Sequence, residues 1–287
     1  MTQQTKIAGV CGWPISHSLS PRLHGFWIKR HNLDADYRAW PVEPKTLRTS
    51  LNRLRHECAT ENGIFRGTNL TIPLKEEAMG IMDILHPTAK RIGAVNTVVV
   101  QEDGQLLGRN TDAEGFTNSL AEHADITKLK GGSALLLGAG GAARALVTAL
   151  QDMGLSRIQI ANRTTDRAEK LAQEMGGAAE VLPWDQREAA LAETDILINS
   201  TSLGMAGQPA LDLSLDRLRE KAIVSDIVYV PLETELLKAA RLRGNIAVDG
   251  LGMLLYQARA GFTAWFGQEV AVDQALRDHV LEALQKK

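Results

Sequence analysis

The segment Asn69-Leu70-Thr71-Ile72-Pro73-Leu74-Lys75 has residue types that could do proton chemistry. Asn69 and Thr71 alternate onto one face of a strand pattern. Lys75 follows a proline-fixed turn, which could aim its amine over that face. A lysine in a polar cleft acts as acid or base when its pKa is lowered. A solvated lysine opening a Lys75-Glu76-Glu77 helix fits the same residues. Asn96 sits among apolar neighbours in the strand-like run Ala94–Val100 and needs hydrogen-bond partners there. Asn110-Thr111-Asp112 opens a helix pattern. Asp112 either caps that helix or pairs with Lys75 across a cleft, and spacing leaves both readings open. Ser18-Leu19-Ser20-Pro21 places two hydroxyls on a loop, suited to a carboxylate. The competing reading is plain N-capping by Ser20.

A second constellation is Gly138-Ala139-Gly140-Gly141-Ala142-Ala143, between an apolar strand pattern and an Ala- and Leu-rich helix pattern. This is G-x-G-x-x-A in the frame of a dinucleotide site. Gly138 permits the tight turn, Gly140 lets backbone approach a pyrophosphate, and the helix start supplies N–H groups and a positive dipole. Sites for NAD offer an acidic residue at the end of the next strand. This chain offers Asn162-Arg163-Thr164 there, with Arg167 one helical turn on. Two guanidiniums and a hydroxyl suit a 2′-phosphate, so the expected cofactor is NADP. A solvated arginine pair at a helix start is the alternative.

These residues need elements to hold them. Strand patterns at Ile7–Gly12, Tyr37–Val42 and Gly67–Pro73 alternate with helix patterns after Pro21 and over Leu47–Cys58. Leu23, Phe26, Trp27 and His31 are expected to share one helix face. Glu102–Gln105 reads as a hairpin turn returning through Leu106–Gly108. After a helix over Thr111–Glu122, Gly131-Gly132 marks a boundary and a tighter βαβ rhythm begins. Its strands are expected at Ala134–Leu137, Arg157–Ala161, Asp195–Asn199, Ile223–Val228 and Ala247–Val248, with helices at Ala142–Met153 and Arg167–Met175. The chain then reads helical from Gly250 to its end. The expected class is α/β in two domains.

Composition narrows the function classes. The chain has 287 residues, 44% hydrophobic and 23% charged, with a net charge of -2. That balance fits a globular protein with no polybasic footprint for nucleic acid. No apolar run reaches the length of a membrane span, and Met1–Lys6 begins no signal-peptide core. Cys11 and Cys58 are too few for a disulfide framework, which points to the cytoplasm. His17, His24 and His31 recur every seven residues without acidic or thiol partners, so no metal site is expected.

Taken together, the chain resembles the shikimate dehydrogenase family. Ser18-Leu19-Ser20-Pro21 matches its S-x-S-P loop, and Asn69–Lys75 matches N-x-T-x-P-x-K with its catalytic lysine. Gly93-Ala94-Val95-Asn96-Thr97 matches G-A-x-N-T. Gly108–Asp112 matches G-x-N-T-D with its catalytic aspartate. Gly138–Ala143 and Asn162–Thr164 match its NADP site. Asn199-Ser200-Thr201-Ser202-Leu203-Gly204-Met205 resembles N-A-T-S-x-G-M, with Ser200 in place of the usual alanine. Asp249–Leu254 followed by Gln257 matches its return segment.

The resemblance implies a substrate-binding domain of residues 1–112 and 250–287, with a Rossmann-like NADP domain of residues 113–249 inserted. It implies reversible NADPH-dependent reduction of 3-dehydroshikimate to shikimate, toward chorismate and aromatic amino acids. Lys75 and Asp112 would be the acid/base pair. Ser18 and Ser20 would hold the carboxylate with Tyr229 nearby. Asn69, Thr71, Asn96, Asp112 and Gln257 would hold ring hydroxyls. On the cofactor side, Gly138, Ala139, Gly140, Gly141 and Ala142 would meet the pyrophosphate. Asn162, Arg163, Thr164 and Arg167 would meet the ribose phosphate, and Thr201, Ser202, Ile227, Gly250 and Met253 would line the remaining groove. The expected partner is a small molecule, with no nucleic acid or membrane, and the chain is a monomer or homodimer. Rival readings are a quinate/shikimate dehydrogenase of broader specificity, a methylene-tetrahydrofolate dehydrogenase, and a ligand-binding regulator of the same fold.

Overall fold

The apolar run Ile7–Cys11 becomes the buried centre of β1 (Thr5–Gly12) in the computed structural model of the chain. The structure describes residues 4–285, so Met1–Gln3 of the N-terminal stretch read above lie outside the described residues. The chain divides into two units, Met1–Thr111 with Gln257–Lys287, and Asp112–Tyr256.

The first unit continues through α1 (Ser20–Arg30), β2 (Ala35–Pro41), α2 (Leu47–Thr60), β3 (Gly63–Leu70), α3 (Leu74–Glu77), β4 (Ile84–Leu85), α4 (Pro87–Ile92), β5 (Thr97–Val100) and β6 (Leu106–Arg109). They build a mixed sheet in the order β2-β1-β3-β5-β6-β4. β1 runs parallel to β2 and β3, while β5 is antiparallel to β3 and β6. Leu47, Leu51 and Leu54 recur at helical spacing and pack with Ile7, Phe65, Leu70 and Val98 in one core.

The second unit holds α5 (Asp112–Ala121), β7 (Ser133–Leu137), α6 (Ala143–Asp152), β8 (Arg157–Ala161), α7 (Thr165–Met175), β9 (Ala179–Leu182), α8 (Arg187–Ala190), β10 (Ile196–Asn199), β11 (Ile223–Asp226), α9 (Glu235–Leu242), β12 (Ile246–Val248) and most of the first half of α10 (Gly250–Phe266). Its sheet, β12-β11-β10-β7-β8-β9, is parallel throughout. Leu135, Leu136 and Leu137 are wholly buried, as expected for a strand covered on both faces. This is the doubly wound, Rossmann-like arrangement.

The chain returns to the first unit at Gln257, part-way along α10, and ends in α11 (Gln274–Gln285). These residues complete that unit. Trp27 Nε1 donates to the Ala271 carbonyl at 3.0 Å, and Trp265 Nε1 donates to the Val98 carbonyl at 2.9 Å.

Some local expectations are corrected. The helical tail is not continuous, because Gly267 at φ 75° ends α10 in the left-handed conformation that glycine adopts readily. Ala94–Asn96 precede β5 rather than belonging to it. On α1 the buried face is Ser20, Leu23, His24 and Trp27, so His24 replaces His31. Ser20 is the first residue of α1 and does not cap it. Its N–H instead donates to Ser18 Oγ at 3.3 Å. The short elements β4, β9, α4, α8 and α9 come in addition to the expected ones.

Candidate active and cofactor sites

β1, β3 and β6 end, and β5 begins, at one edge of the first sheet. That edge collects the polar segments picked out in the sequence. Ser18 and Ser20 follow β1. Because Ser18 Oγ accepts the Ser20 N–H, its own hydrogen is left to donate outward. Thr71 follows β3, its N–H fixed on the Cys11 carbonyl at 3.0 Å. The Lys75 carbonyl receives the Val95 N–H at 2.8 Å, which ties the start of α3 to the segment before β5. Lys75 itself is half-buried.

Asn69, Asn96, Thr97, Thr111 and Gln257 form one hydrogen-bonded set. Asn69 Oδ1 accepts the Tyr37 hydroxyl at 2.6 Å, and its Nδ2 donates to the Asn96 carbonyl and Thr97 Oγ1, both at 3.2 Å. Asn96 Oδ1 accepts from Thr97 Oγ1 and from the Thr111 N–H, each at 2.9 Å. Asn96 Nδ2 donates to Thr111 Oγ1 at 3.0 Å and Gln257 Oε1 at 3.4 Å. Thr111 Oγ1 donates to the Gln257 carbonyl at 2.9 Å. Buried amides thus have the partners that burial demands. Both amide hydrogens of Asn69 serve Asn96 and Thr97. Asp112, the residue after Thr111, is buried at the first position of α5.

In the second unit, β7 runs into the glycine-rich turn at the point where strand order reverses between β7 and β10. Gly138 has φ 105°, and a Cβ there would lie 2.8 Å from Ser200 Oγ, so only glycine fits. Gly140 faces open space, with nothing within 4 Å of an added Cβ. No side chain caps the start of α6, at Ala142–Ala143, and Gly141 and Ala142 are half-buried there. Asn162 links both ends of the motif. Its Oδ1 accepts the Ala139 N–H at 3.2 Å and its Nδ2 donates to the Thr164 carbonyl at 2.8 Å. Arg163 and Arg167 are exposed and make no ion pair among the described residues. These features fit a phosphorylated dinucleotide: room at Gly140, uncapped N–H groups at α6, and two uncommitted guanidiniums where an NAD site would carry a carboxylate.

After β10, Asn199 Oδ1 accepts the N–H and hydroxyl of Thr201 at 3.0 and 2.7 Å. Asn199 Nδ2 donates to Asp226 Oδ1 at 3.0 Å, and Thr234 Oγ1 donates to Asp226 Oδ2 at 2.8 Å. Burial pushes the Asp226 carboxyl up from its ordinary value. Asp226 and Thr234 went unnoticed in the sequence, because their role exists only once β10 and β11 pair. Ser202 is exposed and Ile227 half-buried. Gly250 approaches Ile227 so closely that a Cβ would lie 2.2 Å from its carbonyl oxygen. Met253 packs with Phe116 and Val248 in the core of this unit. Tyr229 follows β11, and burial pushes its phenol above the ordinary range. Both cysteines are free and buried, and burial pushes the Cys11 thiol up to about 12. Among the described residues no group of three or more His, Cys, Asp or Glu could hold a metal ion. None of the described helices is long and apolar enough to cross a membrane.

Fold and site define the class, a two-unit α/β oxidoreductase of the dinucleotide-dependent kind. Two family descriptions match the chain: "Shikimate dehydrogenase substrate binding domain" over residues 10–98, and "Shikimate / quinate 5-dehydrogenase" over residues 119–212. A shikimate dehydrogenase (NADP(+)) of Paramagnetospirillum magneticum is 49% identical, covering 98% of this chain and 100% of that protein. Among solved structures, a shikimate 5-dehydrogenase from Thermus thermophilus in complex with NADP(H) and shikimate is 37% identical. Its TM-score is 0.82, covering 98% of this chain and 99% of that one. A quinate dehydrogenase from Corynebacterium glutamicum in complex with NAD gives a TM-score of 0.87 at 30% identity, covering 98% of this chain and 100% of that one. The chain belongs to the shikimate dehydrogenase family.

Proposed function

We propose that the chain catalyses the reversible reduction of 3-dehydroshikimate to shikimate with NADPH, a step toward chorismate and the aromatic amino acids. The observation that carries this reading is the sheet edge holding Ser18, Thr71, Lys75, Asn96 and Gln257, in a chain nearly half identical to an NADP-dependent shikimate dehydrogenase. The cofactor, when bound, supplies or accepts the hydride. A carbonyl being reduced develops negative charge on oxygen and needs a proton there. Lys75 and Asp112 deliver that proton and take it back in the reverse direction. The hydroxyls of Ser18 and Ser20, with Tyr229, hold the substrate carboxylate. Asn69, Thr71, Asn96, Asp112 and Gln257 hold the ring hydroxyls, and Asn69 also holds Asn96.

Gly138, Ala139, Gly140, Gly141 and Ala142 bring backbone N–H groups to the pyrophosphate. Arg163, Thr164 and Arg167 hold the 2′-phosphate, and Asn162 fixes the turn beside it. Thr201, Ser202, Ile227, Gly250 and Met253 shape the rest of the groove. Residues 1–112 and 250–287 are assigned to the substrate domain and residues 113–249 to the cofactor domain, although Asp112 and the start of α10, Gly250–Tyr256, pack with the second unit. We place the protein in the cytoplasm, as a monomer or homodimer acting on a small molecule without nucleic-acid or membrane partners. The free cysteines suit that reducing compartment.

Absorbance of reduced nicotinamide tests the reading, with shikimate and NADP⁺ in one cuvette and quinate or NAD⁺ in others. Rapid reduction of NADP⁺ by shikimate is expected. Faster turnover with quinate or NAD⁺ moves the chain to the quinate dehydrogenases. Silence in every cuvette overturns the enzymatic reading and favours a regulator.

A further inference from the structure

Tyr37 lies behind the substrate residues, on β2, and is 5% exposed. His24 stacks on its ring at 3.9 Å between centroids, and Trp265 packs at 5.9 Å. Burial holds its phenol well above the ordinary range, so it stays a neutral donor at any working pH. Its hydrogen goes to Asn69 Oδ1, and this decides which end of the Asn69 carboxamide is oxygen. The nitrogen end must then face Thr97 Oγ1 and the Asn96 carbonyl. A threonine hydroxyl has one hydrogen. Having accepted from Asn69, Thr97 gives that hydrogen to Asn96 Oδ1. The Thr111 N–H reinforces the same oxygen. Asn96 therefore turns its nitrogen toward Thr111 Oγ1 and Gln257 Oε1, which take its two hydrogens. Each bond in the series runs in one direction, and a flipped Asn96 would set its N–H₂ against the N–H of Thr111.

We propose that Tyr37 and Thr97 are positioning residues that fix the orientation of the Asn96 carboxamide, and through it that of Gln257, at the substrate edge. The proposal rests on the shikimate reading above. It explains why a buried tyrosine and a buried threonine sit in a series leading to the substrate edge. Neither is assigned a substrate contact: Thr97 acts through Asn96, and Tyr37 through Asn69.

Steady-state kinetics of shikimate oxidation on the full chain tests it, with Tyr37→Phe, Thr97→Val and Thr97→Ser beside the wild type. Loss of one directional bond in the series is expected to raise the KM for shikimate about tenfold in Tyr37→Phe and Thr97→Val. The KM for NADP⁺ should hold within about twofold, because these residues lie in the substrate unit. Thr97→Ser keeps the hydroxyl and should behave as wild type. The variants should also discriminate less than wild type against a shikimate analogue lacking one ring hydroxyl. An unchanged shikimate KM in Thr97→Val overturns the proposal, as does a parallel rise in both KM values. If Tyr37→Phe does not fold, the Val and Ser variants of Thr97 decide alone. A wild type that turns over no shikimate overturns the functional reading itself, a result distinct from an active wild type whose variants are unaffected.

Discussion

Asn162 Oδ1 accepts the backbone N–H of Ala139 at 3.2 Å, so the residue after β8 holds the glycine-rich turn after β7. Its side chain acts on the shape of the turn, which any dinucleotide needs. Asn162→Ala should therefore weaken NADP⁺ and NAD⁺ alike, by about tenfold for one lost hydrogen bond. Titration of each cofactor against protein fluorescence measures this, and a loss confined to NADP⁺ would show that Asn162 reads the phosphate instead.

Arg163 behaves differently. It is exposed and makes no ion pair among the described residues, so its removal disturbs no fold contact of that kind. Arg163→Ala should raise the KM for NADP⁺ by one to two orders of magnitude, roughly what a lost charge-assisted bond is worth, and leave that for NAD⁺ nearly unchanged. Equal losses for the two cofactors would remove the 2′-phosphate assignment.

Lys75 stands on α3 with its backbone fixed to Val95. Lys75→Ala should lower kcat by about 10²- to 10⁴-fold, the usual range for a lost acid–base group. Cofactor affinity should stay near wild type. Most of the activity surviving would place the proton chemistry elsewhere.

His24 gives the fold an acid sensitivity. Burial lowers its pKa from 6.5 to about 3, against a smaller opposing pull from Asn69. The unfolded chain takes up a proton below pH 6.5 that the folded chain refuses until about pH 3. The contribution is complete above pH 6.5 and falls away as pH drops through that window. The slope approaches about 1.4 kcal/mol per pH unit. His24→Phe keeps a ring against Tyr37 and should flatten this part of the curve. Urea unfolding followed by tryptophan fluorescence between pH 7 and 4 measures it, and parallel curves for both proteins would refute the assignment.

Much of the molecule was readable because local pattern and local chemistry agree. β8 falls on the expected Arg157–Ala161, and α2 covers the Leu47–Cys58 pattern. Gly138 was placed by its motif, and its φ of 105° follows from the turn that motif encodes. β9 and α9 were missed. β9 is a four-residue edge strand of mostly half-exposed residues, so hydrophobic alternation does not mark it.

The sequence by itself supplied the candidates for the chemistry: an NADP-type turn, Lys75 and Asp112, and hydroxyl and amide groups in a family pattern. These are properties of residue type and short spacing, which a chain carries before it folds. Only the tertiary structure decided how those groups are held. Asn69 meets Tyr37 across 32 positions, Asn96 meets Gln257 across 161, and Asn199 meets Asp226 across 27. His24 rather than His31 entered the core, because the helix face is chosen by what packs against it. A hydrogen bond has direction and needs both partners in place, so the polarity of the buried amides follows from strand pairing.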